Sequence, residues 1–188
     1  NCLLDNHPLL PRATHFCNSV LEPSTGNILE YRHLIRGPDK STWKTALAND
    51  LGRLAQGVGT RMKEGTNTIV FVAKSVVPTD CTVSYYRLVI SLRPNKAETR
   101  CVRITAGGNL LECPDTTATD TASLTTTKCL LNSVISTPNA RFATADIKDF
   151  YYGTPLQRFE CIKMQLVDIP DDIVEQYKLR AIVKNGWI

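Results

Sequence analysis

Residues 39–58, DKSTWKTALANDLGRLAQGV, constrain the fold more tightly than any other stretch. Trp43, Ala46, Leu47, Leu51, Leu54, Ala55 and Val58 recur at steps of three and four, which gathers them on one helical face. Ser41 or Thr42 is the expected N-cap, and Gly57 or Gly59 the stop. Beyond the helix, NTIVFVAKSVV, TVSYYRLVISLRP and TRCVRITAGG are rich in β-branched and aromatic residues and parted by turn formers, the mark of strands. The last two read as a hairpin around PNKAE, carrying Arg93, Arg100 and Arg103 along one small sheet, on one face or both as alternation dictates. The expected class is α+β, with small antiparallel sheets and packed helices.

The flanking segments are plainer. Residues 1–40 form an irregular, proline-rich lead-in with one short strand at NILEYRHLI. The threonine-rich run CPDTTATDTASLTTT reads as a loop and cap before a helix in which Leu124, Lys128, Leu131 and Ile135 keep near-helical spacing. RFATADI reads as a strand, Asp146 to Thr154 as a turn, and FECIKMQL as a second strand on which Ile162, Met164 and Leu166 alternate with polar residues. DIPDDIVEQYKL reads as a helix with Asp171 and Asp172 at its positive N-terminal end, a structural placement. LRAIVKNGWI gives a strand, an Asn185-Gly186 pair suited to a type I′ turn, and the start of a return strand. With Asn1 in place of an initiator Met, the expectation is a piece of a longer protein, cut within this last hairpin.

Composition narrows the class. Hydrophobic residues make up 43% and charged residues 21%, ordinary globular values. No run of about 18 apolar residues is present, so a membrane partner is not expected and an intracellular, cytoplasmic protein is. Cysteines at 2, 17, 81, 101, 113, 129 and 161 are odd in number and show no Cys-x-x-Cys spacing, which fits reduced thiols better than a disulfide framework. His7, His15 and Cys17 lack a fourth zinc ligand. The net charge of +4 is unevenly spread: residues 1–105 hold 14 Lys/Arg against 8 Asp/Glu, and residues 106–188 hold 8 against 10. A basic first half suits a polyanion as well as a solvated face. No Gly-x-x-x-x-Gly-Lys-Ser/Thr loop, Gly-x-Ser-x-Gly elbow or His-Glu-x-x-His motif occurs.

In order, TWKTALANDLGRL, RCVRITAGGN, LTTTKCLLNSVIS and ADIKDFYYGTPLQRFECIKM resemble the front half of a copia-type retrotransposon reverse transcriptase, over about Ser41 to Ile188. The resemblance implies the fingers of a right-hand polymerase over 41–140 and the beginning of its palm over 141–188. It also implies an RNA-directed DNA polymerase that uses Mg²⁺ in the complete enzyme to transfer deoxynucleotides onto a primer. By that resemblance Asp146 is the first metal-binding carboxylate and Ile147 the neighbour whose carbonyl also faces the metal. Asp149 and Phe150 support the incoming triphosphate, and Tyr151 is the aromatic gate under the sugar. Arg103 matches the finger arginine that clamps the triphosphate, a task suited to a planar guanidinium. The finger lysine is replaced, with Arg93 or Lys74 as the substitute, and Arg100 and Lys74 join the nucleic-acid contacts.

The implied partners are an RNA/DNA template-primer, deoxynucleoside triphosphates, and the remainder of a retroelement polyprotein (rest of palm, thumb, RNase H, integrase). The implied setting is a cytoplasmic particle with access to the nucleus. The family's Tyr-x-Asp-Asp turn does not occur in this sequence, so this stretch by itself is not expected to polymerise. Two other readings stand beside it: a non-catalytic nucleic-acid-binding module or decayed retroelement relic, and a small interaction domain in which Asp146 merely pairs with Lys148 or Arg141.

Overall fold

Tyr31–Leu34 forms α1, a single helical turn that delivers the chain into α2, Lys40–Leu54. Strands β1 (Val83–Leu92) and β2 (Arg100–Ala106) follow, then α3 (Leu124–Ser136), β3 (Cys161–Lys163) and α4 (Asp171–Gln176). The computed structural model describes residues 19–111, 121–143, 145, 147, 152, 156 and 158–188. The chain divides into two compact units, one running to Leu110 and resuming at Arg158, the other spanning Leu111–Gln157.

The first unit is built around α2. Trp43, Leu47, Ala48 and Leu51 are buried on its inner face and share a core with Val102, Met164, Ile169, Ile173 and Leu179. The spacing read from the sequence therefore identifies the buried face. Its caps differ from expectation: Asp39 takes the N-cap position without a side-chain cap bond, because its carboxylate is bound to Arg100 at 2.6 Å. At the other end, Gly57 with φ of +108° donates to the Gly52 carbonyl at 2.8 Å, a six-to-one bond that closes the helix.

NTIVFVAKSVV was expected as a strand and does not become one. The backbone N–H groups of Asn67, Thr68 and Ile69 donate instead to the Ala55 and Leu54 carbonyls, at 3.0, 2.7 and 3.0 Å. These are acceptors that the end of a helix leaves without intrahelical partners. The segment then tightens into a 3₁₀ turn at Lys74–Val76. β-Branched composition favours extension, but the first three donors of this stretch cap a helix and so cannot build a ladder.

The sheet has three strands in the order β2-β1-β3. β1 and β2 are the expected antiparallel hairpin, with Tyr86 opposite Ala106 and Leu92 opposite Arg100. β3 runs parallel to β1, pairing Val83–Tyr85 with Cys161–Lys163, so the sheet is mixed and the expectation of antiparallel sheets alone is corrected. A parallel pair requires a long connection, and here everything from the hairpin turn through the second unit intervenes. At the chain's end Asn185 and Gly186 both have positive φ, 52° and 77°, the type I′ geometry expected of this dipeptide. The residues before it form a 3₁₀ turn, Leu179–Ala181, where a strand was expected, and Ile188 exchanges backbone hydrogen bonds with Met164 at 2.8 and 2.9 Å.

In the second unit α3 begins where the spacing places it. Ser123 is its N-cap, accepting from the Thr126 N–H at 3.1 Å. Arg141, Phe142 and Ala143, the described start of the expected RFATADI strand, are not in a strand. The described residues are α+β, and no helix among them is long and apolar enough to cross a membrane.

Candidate nucleic-acid interface

Strand alternation sorts the hairpin's side chains. On β1, Tyr86, Leu88 and Ile90 pack towards the core, while Tyr85, Arg87 and Val89 face outward and are exposed. On β2, buried Val102 faces α2, and Arg103 points the other way, exposed and opposite Val89. Arg87 lies opposite Thr105, and β3 adds Lys163 opposite Tyr85. One outward face thus carries Arg87, Arg103 and Lys163 around Tyr85 and Val89, the last two being 46% and 45% exposed. Neither Arg87 nor Arg103 forms an ion pair among the described residues.

Two details hold this face in shape. The Tyr85 ring lies over Gly107, where a Cβ would come within 2.4 Å of it, and its hydroxyl donates to Asn109 Oδ1 at 2.8 Å. The Ser84 hydroxyl, buried on the other side of β1, donates to the Gly107 carbonyl at 2.8 Å. The Lys163 ammonium sits 4.7 Å from the centroid of the Trp187 ring. Guanidinium and ammonium groups beside an accessible aromatic ring are the chemistry that holds phosphates and stacks bases.

The site residues expected from the sequence fall into three groups. Arg103 stands on the outward face. Arg100 does not: it is half-buried on the α2 side, bound to Asp39 at 2.6 Å and 5.8 Å from the centroid of the Trp43 ring. It acts there as a strut between hairpin and helix. Arg93 is half-buried in the hairpin turn, its N–H donating to the Thr99 carbonyl at 2.7 Å, and Lys74 is exposed on the 3₁₀ turn, which belongs to no strand. Asp146, Asp149, Phe150 and Tyr151 lie outside the described residues. Ile147 is described and 65% exposed, in the second unit.

Arg87 and Lys163 were missed because the sequence reading fixed the strands without their register. Asp50, also missed, is a carboxylate inside the helix–sheet seam. It is 7% exposed and accepts from the Ile104 N–H at 3.2 Å and from Arg53 at 3.4 Å. Burial raises its pKa, and the Ile104 N–H and the arginines oppose the rise. Glu98 completes the seam, 3.0 Å from Arg53 and 3.4 Å from Asn49.

A second polar cluster lies behind the sheet. Tyr86 donates to Asp168, and burial first, with that carboxylate second, raises the Tyr86 pKa. Tyr31 is raised by burial and by Asp168, Asp172 and Asp171 in turn. Asp171 is held below the usual carboxylate range by its hydrogen bond to Lys44, and Asp172 binds Arg61 at 2.5 Å. Its carboxylates are occupied by tyrosine and cation partners. No group of three or more His, Cys, Asp or Glu side chains among the described residues could hold a metal ion. Compared with family models, curated proteins and solved structures, the chain matches none.

Proposed function

We propose that this chain is a piece of an RNA-directed DNA polymerase of the copia retrotransposon type, spanning fingers and the beginning of the palm. The observation that carries the reading is the order of the four sequence segments, helix, basic strand, threonine-led helix and Asp-x-x-Asp-Phe-Tyr-Tyr turn. The packing supports it, since α2 and the β1–β2 hairpin form one seam and Arg103 faces away from the helix, where a triphosphate or template could reach it. In this reading Arg103 clamps phosphate, Arg100 positions the hairpin, and Asp146 supplies one Mg²⁺ ligand in the complete enzyme. Magnesium takes a near-octahedral set of oxygens, and in this reading the family's Tyr-x-Asp-Asp turn supplies the remaining carboxylates in the complete enzyme.

Primer extension with Mg²⁺ and deoxynucleotides tests this, comparing the chain with a version continued through a Tyr-x-Asp-Asp segment. Activity in the continued protein alone, abolished by Asp146→Asn, is the expected result; a folded but inactive continued protein refutes it. The outward basic face favours a second reading, a non-catalytic nucleic-acid-binding module. It requires binding without extension, weakened steeply by salt because phosphate contacts release counterions.

A further inference from the structure

A cleft of about 650 Å³ opens within the first unit, lined from α2, α4 and the type I′ turn at Asn185-Gly186. That volume suits a small molecule. Buried Ile169 and Val174 lie at its base, with Leu166 half-buried beside them, and half-exposed Trp187 lines one side. Backbone bonds fix the frame. The Leu166 N–H donates to the Gly186 carbonyl at 2.8 Å, and Lys184 and Trp187 exchange hydrogen bonds of 2.9 and 3.1 Å across the turn. The Lys163 ammonium, 4.7 Å from the centroid of the Trp187 ring, adds a cation–π contact that orients the indole.

The charged lining is two cations and one carboxylate, Lys44, Arg180 and Asp171. Lys44 and Asp171 satisfy each other at 3.0 Å. Arg180 is exposed and makes no hydrogen bond or ion pair among the described residues, although it lies near enough to help Lys44 hold Asp171 below the usual carboxylate range. The cleft therefore keeps one positive charge unspent. The placement of Arg180 has a backbone cause. Lys178 adopts the left-handed conformation, with φ of 52°, which is sterically costly for a residue with a side chain. That turn buries Leu179 completely and sets Arg180 on the lining of the cleft.

We infer that this cleft is a binding site for a small aromatic carboxylate, a flat ring bearing one negative charge. Arg180 receives the carboxylate, which a guanidinium fork holds through two parallel hydrogen bonds. The ring packs on Ile169 and Val174 and meets the Trp187 indole in an offset or edge-to-face arrangement. One unspent cation selects a monoanion, because a phosphate dianion would bring its second charge up against Asp171. The Asn185 side chain, exposed on the turn and without a hydrogen bond among the described residues, offers the carboxylate a further donor. The inference is independent of the polymerase reading, since it uses neither Asp146 nor the outward arginines.

The test is titration of the isotope-labelled chain with naphthoate, followed by proton–nitrogen correlation NMR at low salt. The sequence holds two tryptophans, and Trp187→Phe assigns their indole N–H signals. The expected result is a saturable shift, largest for the Trp187 indole and the Arg180 and Asn185 amides, while the signal of buried Trp43 moves little. Arg180→Ala should weaken affinity about tenfold, as loss of a hydrogen-bonded charge does, and Arg180→Lys should restore part of it. On the native chain, neutral naphthylmethanol should bind about tenfold more weakly than naphthoate for the same reason. The saturated-ring carboxylate should also bind more weakly, and naphthyl phosphate no more tightly. Absence of a saturable shift, a larger shift at Trp43 or on the Arg87 and Arg103 face, equal binding of the neutral or saturated compound, or tighter binding of the phosphate would each overturn the assignment, and none of these needs a variant. Unchanged affinity in a folded Arg180→Ala chain would overturn it as well.

Discussion

At the scale of single residues, Asp50 joins structure to pH. Its carboxylate gives Ile104 an acceptor at the helix–sheet seam, yet burial raises its pKa above the ordinary 3.8. The folded chain therefore holds this proton more tightly than the unfolded chain. Asp50's contribution to stability is largest below the ordinary value and is lost as pH rises through the raised one. Asp50→Asn keeps an oxygen for Ile104 and removes the ionisation, so urea unfolding across that window should show a shallower fall in stability with pH. Asp50→Ala strands the Ile104 N–H and should cost about 1–3 kcal/mol at neutral pH. Gly57 is sensitive for a steric reason. At φ of +108° a Cβ would approach the Met62 carbonyl to 2.4 Å, and backbone must give way. Gly57→Ala should lose about 1–3 kcal/mol in the same unfolding measurement, with the midpoint shifted and the slope kept.

At the scale of elements, the seam between α2 and the hairpin determines which arginines are available. Arg100 is committed to Asp39 and Trp43. The Asp39 carboxylate is 56% exposed, so solvent screens the pair, and a double-mutant cycle on Asp39→Ala and Arg100→Ala should return only about 0.2–1 kcal/mol of coupling. Much of this seam was legible in the sequence. The face of α2 and the hairpin turn at PNKAE follow from local periodicity and turn chemistry, and both are found. The β-branched run after α2 does not form a strand, because its composition favours extension while its first N–H groups cap the helix through Asn67, Thr68 and Ile69. That choice depends on what lies nearby in space, which a window of sequence does not contain. The same holds for the parallel β3, whose partner lies far upstream, and for Arg87 and Lys163, which share a face with Arg103 only through register.

At the scale of the whole molecule, charge sorting along the chain becomes useful only where the sheet turns it outward. The first 105 residues hold the excess of Lys/Arg, but Arg100 and Arg53 spend theirs on Asp39, Asp50 and Glu98. The cations left on the outward sheet face are Arg87, Arg103 and Lys163, beside Tyr85. If this face holds a nucleic-acid backbone, affinity for a single-stranded oligonucleotide should fall linearly in log–log form with salt. Removal of one phosphate-contacting cation should then flatten the slope by about 0.7. Arg103→Ala and Arg87→Ala are the informative variants, because both side chains are exposed on the sheet surface and their loss should leave the unfolding midpoint unchanged. Tyr85→Ala separates stacking from charge: it should weaken binding by about 1–3 kcal/mol while leaving the salt slope intact. Titration by fluorescence anisotropy at several salt concentrations reads both quantities. Equal slopes for wild type, Arg87→Ala and Arg103→Ala would remove this face from any nucleic-acid contact and, with it, the packing support for a fingers-like role.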